Sequence, residues 1–387
     1  MKLRLSLFLA SASFLLVAMR VESARRPAYG GTLRVEIGAI VTSLDPAMQP
    51  ANPEEEAAKQ QLDALMYGGR NTSGTFNGVA GSGPFRISAW NPGKLAFLAA
   101  NEDFRGGRPF VDSVEIELGR AARDRLLDLE LNRADFAEIP AEQARAAAAA
   151  GIRVSISAPD ELLAIVFVPG RTATEDARVR EAMALSIDRA ALVNFILQKT
   201  GEPASGLLPQ WSSGTAFLFS TAPDLSKAKE LVTQAGGATR LAVGYDASDS
   251  LEQQIAERIA VNSRNVGLAL DAQRIGGAAD YDARLVRIRM ASPDPREALA
   301  RFLALLNPLA GLAVPPPGDS ASSEQIFAAE RAVVASGRVV PLAWLPRVYG
   351  LGARVRDWRV PASGEGWPLA DVWLAGGVGE AADKGNP

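Results

Sequence analysis

The sequence predicts an α/β protein with more than one hydrophobic core. Three observations lead there. At 387 residues the chain is too long for one ordinary core and long enough for two or three domains. Hydrophobic residues make up 48% and charged residues 22%, the balance of a packed globular chain rather than a disordered one. Between 240 and 275 a strand pattern, a helix pattern and a second strand pattern follow one another, an order that implies a parallel crossover.

Composition also excludes. There is no cysteine and no histidine, which removes disulfides, thiolate chemistry, His-based triads and the commonest metal ligand together. The formal charge of −3 gives a nucleic-acid partner no electrostatic support. The N-terminus reads as an export leader, 1–23: Lys2 and Arg4 precede an apolar run over 5–19, and Val21 and Ser23 place small residues before a cut after Ser23. Arg20, Arg25 and Arg26 sit badly with that cut. An uncleaved membrane anchor is the alternative.

The elements follow in order. Residues 30–37 alternate apolar and polar as a half-buried strand should. Glu54-Glu55-Glu56 opens a helix to about 66, with Lys59 placed to pair with Glu55 and the charge run read as a solvated face. Strands are expected at 85–90, 95–99 and 114–118, the first two joined by the turn Asn91-Pro92-Gly93. Helices follow at 124–131 and at the alanine-rich 141–150, which Gly151 closes. Strands are expected at 153–157 and 162–168, the second so apolar that it belongs at the centre of a sheet. From Asp176 a helix carries Val179, Met183 and Ile187 in one stripe and breaks at Asp188-Arg189. Then come helix 224–236, strand 240–245, helix 251–266 with a Ser250/Gln253 capping box, and strand 268–275. A strand begins at Tyr281, Pro315-Pro316-Pro317 is a stiff turn, and helix 323–336 precedes Val339-Val340-Pro341-Leu342.

Several of these stretches share the residue order of one family. Gly81-Ser82-Gly83-Pro84-Phe85, then Trp90, Pro92 and Gly93, then Asn101, Asp103, Phe104, Gly106, Gly107, Pro109, Phe110 and Asp112, resemble its signature hairpin. So do Ser43-Leu44-Asp45-Pro46, Asp176 to Arg189 (D-x-R-V-R-x-A-[LIM]-x-x-[AS]-[IV]-[DN]-R), Gly201-x-Pro203-Ala204 and Leu208-Pro209, Asp224 to Gly236, Tyr281-Asp282 before Pro293-Asp294-Pro295, and the C-terminal Val340-Pro341-Leu342, Val348-Tyr349 and Asp371-Val372-Trp373. Each motif alone is weak, but they run in order from 30 to 373. The chain resembles the bacterial extracellular solute-binding proteins of family 5, the oligopeptide, dipeptide and nickel receptors of ABC importers.

That resemblance implies a two-lobe, type II periplasmic-binding-protein-like α/β fold with a hinge and with the small third domain shortened, since only about 30 residues (47–80) stand where the family carries that domain. The implied layout is lobe I at 24–166, lobe II at 167–339, a return to lobe I at 340–375 and a flexible tail at 376–387. The chain then crosses between lobes near 167–170 and 340–345. It also implies a periplasmic or extracellular, monomeric protein that captures a small-molecule or peptide-like ligand for a membrane permease, without a cofactor and without catalysis. An exported hydrolase and a degenerate receptor for a protein partner are the other readings. The residues carried over as candidates for the ligand site are Val41, Trp211, Arg289, Met290, Ala291 and Trp344.

Independent chemistry is sparse. Ser226 and Lys229 satisfy S-x-x-K but lie on an amphipathic helix. No carboxylate pair stands out, no oxygen-only metal loop is recognisable, and the absence of histidine disfavours nickel. In the peptide-binding relatives an acidic residue ten places after the Tyr of Tyr-Asp pairs with the peptide's ammonium. Here that position is Ala291, and Arg287, Arg289 and Ala291 share one strand face. The expectation is a cationic site and a neutral or acidic ligand. The alternative is that Arg289 points to solvent and Asp294 swings in.

Overall fold

The computed structural model describes residues 27–45, 48, 53–68, 82–214, 218–237, 239–247, 249–276 and 281–376. The expected leader, nearly all of the tail and half of 47–80 lie outside them. Among the described residues one large mixed sheet organises the chain. Its path runs β2 (Phe85–Asn91), β3 (Leu95–Ala100), β4 (Ser113–Glu117), β1 (Thr32–Glu36), β5 (Phe136–Ile139), β11 (Val339–Leu351), β6 (Arg153–Phe167), β10 (Ala283–Arg289), β8 (Thr239–Tyr245) and β9 (Leu268–Arg274). The two-residue β7 (Glu202–Pro203) adds to β11. A separate ribbon pairs β12 (Val355–Arg356) with β13 (Trp373–Leu374). The crossover expected at 240–275 is present: β8 and β9 are parallel in full register and helix Ser250–Arg264 joins them. Asp249 caps that helix, accepting from the Leu251 and Glu252 N–H groups, where a Ser250/Gln253 box was expected.

The sheet serves two separate sets of packed side chains. Leu33, Val35, Leu98, Val114, Ile116 and Phe136 form one core with Tyr349, Trp367 and Val372 of the C-terminal return. Around β6, β8 and β10 lies the other, on both faces of the sheet. Leu163, Ile165 and Phe167 meet Val179, Met183, Ile187 and Ile259 on one side. Leu162, Ala164 and Val166 meet Leu299, Phe302 and Leu306 on the other.

β11 belongs to both cores and β6 pairs along its length, and here the sequence-based boundaries move. The expected strands 153–157 and 162–168 are one fifteen-residue strand, β6. Its start pairs with β11 at 348–351 and its end pairs with β10. Likewise β11 runs unbroken from the second core (Val339, Val340, Leu342, Trp344) to the first (Tyr349, Leu351). The passage between cores therefore falls at 157–161 and 345–348, not at 167–170 and 340–345. Periodicity cannot see this, because Pro159, Pro341 and Pro346 look like strand breakers. In the fold β11 keeps its pairing with β6 through register shifts beside Pro341 and Pro346, with Leu342 and Arg347 left out of the register.

Two helices were misread or missed. In helix Pro53–Tyr67, Glu55 and Glu56 do not form a solvated face. Glu55 is buried and accepts from the Thr42 N–H (2.9 Å) and hydroxyl (2.8 Å). Lys59 is also buried and donates to the Asp45 carbonyl at 2.7 Å, with Asp63 rather than Glu55 as its i,i+4 partner. Glu56 pairs with Arg301 of helix Pro295–Ala310, so this helix touches both cores. That 295–310 helix was not anticipated. Its signal was present: Asp294 at the N-cap accepts from the Arg296 and Glu297 N–H groups, and Pro295 follows at the first position.

Candidate functional site

A cavity of about 630 Å3 opens beside β7 and the second-core half of β11. Glu202, Ser205, Gln210, Leu218, Phe219 and Trp344 are among the residues that line it. Its wall depends on a close approach. Gly201 sits at φ +122°, and a Cβ there would lie 2.7 Å from the Trp344 carbonyl oxygen. Only glycine lets β7 lie so close to β11. Behind the wall, the buried Glu330 carboxylate accepts from the Leu207 (2.6 Å) and Leu208 (2.8 Å) N–H groups and shapes the loop. Burial pushes the Glu330 carboxyl up to about 7 against the pull of those two donors. Arg189, equally buried, donates to the Pro341 carbonyl at 2.8 Å and lies over the Phe219 ring, 5.1 Å from its centroid.

The cavity is tied to both connecting strands. Trp344 stands on β11 directly before the passage. The short helix Gln210–Ser213 is fixed to β6, because the Trp211 indole N–H donates to the Pro159 carbonyl at 2.8 Å. Ser212 also donates to Pro293 at 3.1 Å, next to the end of β10.

Charged side chains fill the space beside the passage. Arg347 pairs with Asp160 across the two strands at 2.7 Å, and Ser363 donates to the same carboxylate at 3.0 Å. Burial pushes the Asp160 carboxyl up, with Arg347 and Ser363 pulling against it. Glu161 takes Arg287 at 2.6 Å and Arg289 at 3.4 Å. Burial alone would raise Glu161, but the two guanidiniums outweigh it and hold the carboxyl below its ordinary range. Arg287 also reaches Asp249 at 2.6 Å, and Arg289 reaches Glu138 on β5 at 3.5 Å.

The structure sorts the six candidates. Trp344 lines the cavity, buried and stacked on Phe302 with centroids 6.1 Å apart. Trp211 follows the lining residue Gln210 and stays 43% exposed. Val41 lies in the first core with its carbonyl accepting from the Gly93 N–H, so its side chain offers nothing to a cleft. Met290 is buried in the second core. Ala291 is exposed, and its carbonyl lies against Gly364, where a Cβ would overlap it. Arg289 does not supply a free positive charge: Glu138 and Glu161 take it up. Asp294 does not swing in either, being the helix cap. The expected cationic site is corrected accordingly. The sequence shows that arginines lie on one strand face, but the neutralising carboxylates come from β5, β6 and the start of the 250–264 helix, which only the fold brings together. Glu202 and Phe219 were missed. Glu202 sits inside a motif already singled out, Gly201-x-Pro203-Ala204, at the position left open.

The sequence profile of the bacterial extracellular solute-binding proteins, family 5 Middle, matches residues 39–307, well over half of the chain. The oligopeptide-binding protein AppA of Bacillus subtilis (strain 168) is 27% identical over 166 residues, 40% of this chain and 30% of that protein. The probable D,D-dipeptide-binding periplasmic protein DdpA of Escherichia coli (strain K12) is 26% identical over 262 residues, 64% of this chain and 48% of that one. This chain thus spans less than half the length of these curated relatives. Among solved structures, the ABC transporter-associated periplasmic binding protein DppA from Helicobacter pylori, in complex with peptide STSA, superposes with a TM-score of 0.69 at 14% identity, covering 90% of this chain and 99% of that one. NikA from Staphylococcus aureus, in complex with Ni(L-His)2, gives a TM-score of 0.65 at 15% identity over 76% of this chain and 69% of that one. These likenesses establish the type II periplasmic-binding-protein-like α/β fold.

Proposed function

Since the chain belongs to the bacterial extracellular solute-binding proteins of family 5, we propose that it is the substrate-binding component of an ABC importer, capturing a peptide-like or other small solute outside the cytoplasm and presenting it to a membrane permease. The observation that carries this reading is the placement of the cavity. Its wall is attached to both strands that pass between the two cores, through Trp344 on β11 and through Trp211 on Pro159 of β6. A change of bend at 157–161 and 345–348 moves that wall, so occupancy and the angle between the lobes are coupled. Mixed apolar and polar lining around an aromatic surface suits capture of a solute.

The test is a ligand-screened thermal melt of the chain from residue 27, with dipeptides, tripeptides and amino-acid derivatives as the panel. A binder present at a hundredfold its Kd stabilises by about 2.7 kcal/mol. The expected result is a melting shift that Trp344→Ala removes. A panel without any shift, or a shift indifferent to Trp344→Ala, overturns the proposal.

A further inference from the structure

Of the eleven described residues that line the cavity, Glu202 alone carries a formal charge. Its carboxylate has no hydrogen-bond or ion-pair partner among the described residues, and it is exposed. The carboxylates at the passage are in the opposite condition: Asp160, Glu161, Asp249 and Glu138 each hold an arginine. Glu202 is also placed. In the antiparallel pairing of β7 with β11 it stands directly opposite Trp344. Directly paired residues project to the same sheet face, with Cβ atoms about 5 Å apart. The free carboxylate and the indole therefore stand side by side in one wall.

Among the described residues no cation lines the cavity. Arg189, which lies over the ring of the lining residue Phe219, is buried and engaged with the Pro341 carbonyl. Its guanidinium donates inward, to the Pro341 and Ala184 carbonyls, rather than into the cavity. An anionic solute entering here would meet hydroxyl and amide donors but no opposite charge, and would face the Glu202 carboxylate. An ammonium would gain two: the Glu202 carboxylate and the Trp344 π surface.

We infer that the cavity selects a solute bearing a positively charged amine, with Glu202 as its charge partner and Trp344 as its aromatic platform. This rests on the cavity being the capture site, and it reverses the expectation of a neutral or acidic ligand.

Three closely related probes separate the charges: leucyl-phenylalaninamide (cationic), N-acetyl-leucyl-phenylalaninamide (neutral) and N-acetyl-leucyl-phenylalanine (anionic). Calorimetry with the wild-type chain and with Glu202→Gln gives the readout. The cationic probe is expected to bind roughly fivefold tighter than the neutral one, the scale of a solvent-accessible ion pair, and the anionic probe most weakly. Glu202→Gln should erase the cationic advantage and leave the neutral probe unchanged. A cationic preference that survives Glu202→Gln, or a ranking led by the neutral or anionic probe, overturns the inference while Trp344-dependent binding would still uphold the capture site. If none of the three binds, the inference also falls. The wider panel then decides the capture site separately, since a Trp344-dependent hit among other solutes upholds it.

Discussion

Arg347 and Asp160 face each other across the two strands that join the lobes, Nη2 to Oδ2 at 2.7 Å, and both are buried. Arg347 also donates to the Tyr349 hydroxyl at 3.0 Å and to the Pro361 carbonyl at 3.1 Å, so one guanidinium ties the strand passage to the C-terminal return. A buried charge pair is expensive to assemble, and removing one partner leaves the other uncompensated.

Arg347→Met should therefore destabilise the chain by about 3–5 kcal/mol. The double variant Asp160→Asn, Arg347→Met should recover part of that loss, because no uncompensated carboxylate remains. Chemical denaturation of the two single variants and the double measures the coupling. Additive losses would show that the pair acts only through separate contacts.

Arg289 links Glu138 on β5 in one lobe to Glu161 on β6 at the passage. If the lobes hinge there, this link holds them together without a ligand. Arg289→Met should cost on the order of 1–2 kcal/mol and raise the ligand-free radius of gyration in small-angle scattering. Raised salt should do less, since the pairs are only partly exposed. An unchanged radius would sink the idea of a latch.

The pH dependence of stability follows from buried carboxyls. Burial raises Glu330 and Glu252 from their ordinary 4.5 to about 7. Between those values the folded chain holds protons that the unfolded chain has released. Stability should therefore fall as pH rises from about 4.5 to 7 and level off above it. Asp112 and Glu161 are lowered by their arginines, so their contribution is lost in acid, below the ordinary carboxylate range. Melting temperatures across pH 4–8 should peak near the acid end, and Glu330→Gln should flatten the slope. Stability rising from pH 5 to 7 would contradict the assignment.

Gly201→Ala tests the wall of the cavity. The φ of +122° and the 2.7 Å approach to the Trp344 carbonyl leave no room for a Cβ. The expected cost is about 1–3 kcal/mol, with a reduced ligand-induced melting shift because β7 and Glu202 move off β11. A variant with normal stability and normal capture would show that β7 is not held as described.

The sequence by itself determined the family, the α/β class and most elements. Those calls depend on local order: the 3.6-residue stripe of Val179, Met183 and Ile187, the glycine and proline punctuation of the 81–112 hairpin, and the strand-helix-strand order at 240–275. It could also single out Trp344, just after the Val340-Pro341-Leu342 motif, as a large flat side chain suited to a cleft. Tertiary structure decided what depends on distant partners. Pro159 and Pro346 read as breaks, yet β6 and β11 run through them because each strand pairs with the other and with both lobes. Arg287 and Arg289 read as free positive charge, yet Glu161, Asp249 and Glu138 converge on them from three separate elements. Glu202 reads as an unremarked loop acid, and only its pairing opposite Trp344 places it in the cavity. Periodicity reports which face of an element is buried. It carries no information about which charges the fold will bring together, and that pairing decides which of them remain for a ligand.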